Sequence, residues 1–268
     1  MSTPADDPTW RTWPATLATV VIAVVVGAGI VGGLTPLLIV AVGSAMLALA
    51  NGWVRLLRLP SPRGTTVMLF GASLLLLAGG LFSRETHVSL LPAAVAVALL
   101  LEFGHQLGRR DRRPRLVESV SSSVFGIAML TSGACFLVLD DPVGRGASLV
   151  VLAGALVSAP VDLLHTTPLR GTGAAAVATA LGALAGFGAW RLFGPDNAPL
   201  HTSEAVIAGA VAALVSLCLR RGMGALPSIT GLRARWAAGA SSILAVGVVA
   251  YALAWVILGS LASLLRLA

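Results

Sequence analysis

Lysine is absent from these 268 residues, tyrosine occurs once, cysteine twice, and charged residues of every kind make up only 11%. Soluble globular domains carry about 25% charge, so a supply this thin excludes that class. Cys135 and Cys218 fall in separate apolar stretches, toward opposite faces of a bilayer, which argues against a disulfide and against a metal held by the pair. No Gly-Lys-Ser/Thr phosphate loop, Ser-His-Asp arrangement or Cys/His zinc spacing occurs, nor the paired-Asp signature of membrane alcohol phosphotransferases. Catalysis therefore has no recognisable motif. Acids are also missing from the middles of the apolar stretches, which counts against a strongly ion-coupled pump. The start of the chain, with Asp6, Asp7 and Arg11, lacks the basic opening and cleavage site of a secretory signal.

What is abundant is apolar. Hydrophobic residues make up 57% and mean hydropathy is +0.92. Uncharged stretches near 20 residues read as membrane-spanning helices, because in lipid each backbone group must bond within its own segment. Nine such stretches are expected, at 15–31, 35–53, 65–82, 88–107, 119–139, 147–166, 171–193, 202–219 and 236–258. The expected fold is an all-α polytopic membrane bundle of about nine helices. Residues 1–14 form a short tail, and 15–268 a single transmembrane domain. The weakest division is between the first two stretches, where Gly32-Gly33-Leu34-Thr35-Pro36 must supply the whole turn; a re-entrant first segment also fits.

Fourteen of the 18 arginines fall in connections on one side, leaving Arg84, Arg145, Arg191 and Arg266 on the other. Positive-inside bias then places the N-terminus in the cytoplasm of a cell whose plasma (inner) membrane holds the chain. The net charge of +7 reports this orientation and attraction to anionic lipid, not binding to nucleic acid. The six tryptophans lie near expected span ends, where an amphipathic ring favours the interface. Glycines 171, 173, 182, 186 and 188 suit close helix packing in the seventh span.

Ionisable groups inside apolar spans are few and costly, so each is a candidate for function. Span four ends with Glu102 and His105, span six with Asp162 and His165. Each pair is three residues apart, which on a helix places both groups on one face. The two pairs reach the cytoplasmic end at similar depth, where together they could relay protons or hold a divalent metal, the one cofactor the residues suggest. Solvated span ends are the plainer reading. Pro160, just before Asp162, interrupts its helix.

Between spans four and five, Arg109, Arg110, Arg112, Arg113 and Arg115 make a dense cationic loop, followed by Glu118 and Ser119 at the next helix start. Such a loop attracts anionic phospholipid headgroups by about 1 kcal/mol per basic residue. The stretch from Glu102 through Arg109-Arg110-Asp111-Arg112 to Glu118-Ser119 resembles a segment of uncharacterised multi-span membrane proteins of actinobacteria. The resemblance covers under a tenth of the chain. It implies an inner-membrane protein of a GC-rich Gram-positive organism and supplies no catalytic residue.

Three functions fit. One is a transporter or permease-like component for a small solute or lipid, with Glu102, His105, Asp162 and His165 at a cytoplasmic gate. Another is a non-catalytic subunit or scaffold of envelope-assembly machinery, held to a membrane protein partner. The third is a membrane enzyme acting on a lipid-phosphate headgroup through a metal.

Overall fold

The computed structural model describes residues 9–86, 90–108, 115–162, 172–195 and 202–265. Among them there is no strand. The helices are α1 (Thr9–Val31), α2 (Thr35–Leu57), α3 (Pro62–Thr86), α4 (Leu91–Gly108), α5 (Leu116–Val138), α6 (Pro142–Ser158), α7 (Thr172–Phe193), α8 (Thr202–Gly224), α9 (Leu232–Leu244) and α10 (Gly247–Leu265). Among the described residues nine segments are long and apolar enough to cross a membrane, the last running through α9 and α10. The protein is a polytopic, all-helical integral membrane bundle.

The first two apolar segments are both full helices. Gly33 takes a left-handed φ of +61°, open to glycine because it lacks Cβ. Leu34 N–H then donates to Gly29 O at 3.0 Å and Gly33 N–H to Ile30 O at 3.2 Å, a Schellman closure of α1. Pro36 opens α2 where a missing N–H costs nothing. The first segment is thus a continuous helix long and apolar enough to cross a membrane, turning tightly into α2.

Two boundaries of the sixth span shift for local reasons. Asp141 caps α6, accepting from Val143 N–H at 2.9 Å and Gly144 N–H at 3.0 Å, so the helix starts at Pro142, five residues before 147. It ends at Ser158. Pro160 has no N–H for the carbonyl four residues back; Ala159 keeps right-handed helical angles but its N–H already turns to Leu156 O at 3.1 Å, and the chain tightens into a 3-10 turn that carries Asp162. Asp162 thus stands on a 3-10 turn at the end of the described stretch, and His165, expected to share a helix face with it, lies outside the described residues.

Helices α6, α7 and α8 pack together on one side and α3, α4 and α5 on the other, with α1, α2, α9 and α10 between. Small residues permit the first group. A Cβ on Gly209 of α8 would lie 2.4 Å from Gly182 O and 2.7 Å from Gly186 Cα. Gly188, by contrast, faces open space. Tryptophan divides similarly. Trp13 and Trp255 are exposed, as interface anchors should be, but Trp53 is wholly buried and donates to Ser122 O at 3.1 Å. Trp190 is buried as well. Those two rings fill the core and do not anchor the interface.

The ninth crossing is broken. Helix α9 stops at Leu244 and α10 starts at Gly247, near the middle of the apolar run Leu232–Ile257. No proline causes this. Ser132 of α5 enters the gap, and a Cβ at Gly247 would lie 1.9 Å from Ser132 O.

Candidate functional site

Two buried polar centres form at the arginine-rich end of the bundle, where α2, α4, α6 and α8 finish and α3, α5 and α9 begin.

The first lies among α3, α4 and α5. Glu102 is 1% exposed on α4. Gln106, one turn on and the chain's single glutamine, donates through Nε2 to Glu102 Oε1 at 2.6 Å and to Ser119 Oγ at 3.3 Å. Glu102 Oε2 is buried with no hydrogen-bond partner, as are Thr65 Oγ1 on α3, Ser123 Oγ on α5 and His105 Nε2. The register of the three helices accounts for the gathering. The His105 ring packs on Gly64, next to Thr65; a Cβ at Gly64 would come 2.3 Å from His105 Cε1. Leu69, one turn beyond Thr65, packs on Gly126, and Ser119 and Ser123 occupy the two turns of α5 leading to it.

An orphaned buried polar atom costs about 1–3 kcal/mol. Five such atoms occur among the described residues, the fifth being Ser148 Oγ on α6. Four of them belong to this one group of helices, α3, α4 and α5. Sequence reasoning singled out Glu102 and His105 as candidates. It took Ser123 only as part of the serine-rich start of span five, for a headgroup, and it missed Thr65 and Gln106; the spacing of Glu102 and Gln106 by four residues was the available signal.

The second centre joins α6 to α8. Asp162, 5% exposed, accepts from Arg220 Nε at 2.5 Å and from Arg221 Nε at 3.4 Å. Arg220 is 3% exposed and bonded through each of its three nitrogens: besides Nε, Nη1 donates to Ser216 Oγ at 2.6 Å, Nη2 to Ser158 O at 2.9 Å and Ser158 Oγ at 3.0 Å. Arg220 counted as a loop residue in the sequence. It is buried because α8 continues to Gly224, beyond the expected end at 219.

The structure does not bring Glu102 and Asp162 together. Helix α4 packs on α3 and α5, whereas α6 packs on α1, α7, α8 and α10. The joint gate expected from the two carboxylate–His pairs is two centres of different character. Asp162 has its counter-charge and Glu102 has an amide. Among the described residues no three His, Cys, Asp or Glu side chains gather as a metal site.

The cationic loop is seen only at its end. Arg109, Arg110, Arg112 and Arg113 lie outside the described residues. Arg115 adopts a left-handed φ of 52°, pairs with Glu118 and donates through Nη1 to Arg58 O at 3.3 Å. Ser119 is wholly buried beside Gln106, so it belongs to the Glu102 centre and not to a headgroup surface.

No family model matches the chain, and neither a curated protein nor a solved structure matches it.

Proposed function

We propose that the protein is a transporter- or permease-like carrier of the plasma membrane, handling a small solute, with the Glu102 centre as its cation-coupling point. The observation that carries this reading is the contrast between the two buried carboxylates. Removing a carboxylate from water without a counter-charge costs several kcal/mol. Asp162 avoids that cost through Arg220, whereas no cationic side chain bonds to Glu102 among the described residues. A hard cation or a proton at Oε2 supplies the missing charge, and the hydroxyls of Thr65 and Ser123 are oxygen donors of the type such ions take. The broken ninth crossing adds support, since interrupted helices accompany binding sites in transporters.

The test is thermal unfolding of the detergent-solubilised protein in sodium chloride, in N-methyl-D-glucamine chloride, and in the latter made acidic. Sodium or acid should raise the midpoint of the native chain and leave Glu102→Gln unmoved. The reading fails where both proteins respond alike. A screen for solute uptake into proteoliposomes under the effective ion gradient then defines the cargo.

A further inference from the structure

Two adjoining hollows open at the arginine-rich end, where α2 finishes and α3 and α9 begin. The larger, about 670 Å³, is walled by Arg55, Arg58 and Arg233 with Thr230 and Gly231. The smaller, about 430 Å³, shares Arg55 and adds Arg63. No acidic side chain lines either. The ion pairs of the described residues engage Arg115, Arg145, Arg220 and Arg221, so the four arginines that line the hollows have no carboxylate partner among the described residues.

Tertiary packing assembles them. Gly52 lets the first turn of α9 lie directly on α2, for a Cβ there would be 2.1 Å from Arg233 O. That contact sets Arg233 beside Arg55, although the two are far apart in the chain. Arg58 closes α2 with a left-handed φ of 50°, and Ser228 donates its hydroxyl to Leu56 O, tying the loop before α9 to the same wall. At Gly231 no side chain caps α9, and the first residues of that helix, Leu232 to Ala234, line the larger hollow.

We propose that this hollow binds the phosphate of an anionic lipid headgroup. Guanidinium forks match phosphate oxygens in pairs. The rims argue for a lipid over a soluble anion: Leu232 is 63% and Val67 68% exposed, and an acyl chain would cover both. The site is separate from the Glu102 centre and does not depend on it.

The full chain, reconstituted in nanodiscs of phosphatidylcholine with a minority of phosphatidylglycerol, is released gently and its retained lipid counted by native mass spectrometry. Arg55→Gln/Arg233→Gln should retain about tenfold less phosphatidylglycerol. Arg191→Gln, an exposed arginine at the other end of the bundle, should retain as much as the native chain. Arg58→Gln, singly, provides a milder second variant and should give a partial loss. Retention unchanged in the double variant, or reduced equally in Arg191→Gln, overturns the proposal. Displacement of all preference by inorganic phosphate would make the ligand a soluble anion and overturn the lipid assignment.

Discussion

Ser132 on α5 donates its hydroxyl to the carbonyl of Ala245 at 2.9 Å, at the point where the ninth crossing breaks. The same oxygen accepts from Val248 N–H at 2.8 Å. One side chain thus satisfies a donor and an acceptor that an unbroken helix would have paired internally. In an apolar setting such groups have no water to turn to.

Ser132→Ala should therefore destabilise the protein by about 1–3 kcal/mol, the cost of orphaning buried backbone groups. Gly247→Ala should be worse, because its Cβ would overlap Ser132 O and force α10 away from α5. Unfolding midpoints in detergent measure both; a Ser132→Ala midpoint equal to the native one would show that the break does not need its bridge.

Asp162→Asn should cost about 3–5 kcal/mol, since it strands the buried Arg220 guanidinium without its counter-charge. Asp162→Leu combined with Arg220→Met removes both charges and should be less damaging than either single change. A double-mutant cycle on unfolding free energy checks this. Additive losses would mean that the pair is not coupled.

At the α7–α8 crossing, Gly209→Ala should lower stability, because backbone of Gly182 and Gly186 stands where the new methyl must go. Gly188→Ala meets nothing and should be neutral or stabilising by up to about 1 kcal/mol. Comparing the two in the same unfolding assay separates close packing from general glycine content. Similar effects at both positions would remove the special role of Gly209.

Gly64→Ala tests the Glu102 centre without touching its carboxylate. The added methyl displaces the His105 ring, while an alanine for glycine in a helix returns about 0.5–1 kcal/mol. Stability in the absence of sodium should change little, and the sodium- or acid-dependent rise in midpoint should shrink. An unaltered rise would place His105 outside the responsive centre.

The apolar crossings are legible in the sequence because hydropathy is a sum over consecutive residues and needs no knowledge of neighbours. The same holds for the carboxylates at the arginine-rich end, and for the turn at Gly32-Gly33, where length left room for little else. Helix ends are local too, yet the Asp141 cap and the stop before Pro160 move them by several residues, as side-chain chemistry at a terminus does. What only the tertiary structure decided is pairing. Arg220 meets Asp162 across 58 residues, and Ser132 meets Ala245 across 113. Such contacts depend on the relative rotation of helices distant in sequence, which no run of hydropathy encodes. The break at Ala245 shows this most clearly, because Leu244-Ala245-Val246 reads as ordinary span, and a hydroxyl from α5 bonds the backbone groups that its interruption frees.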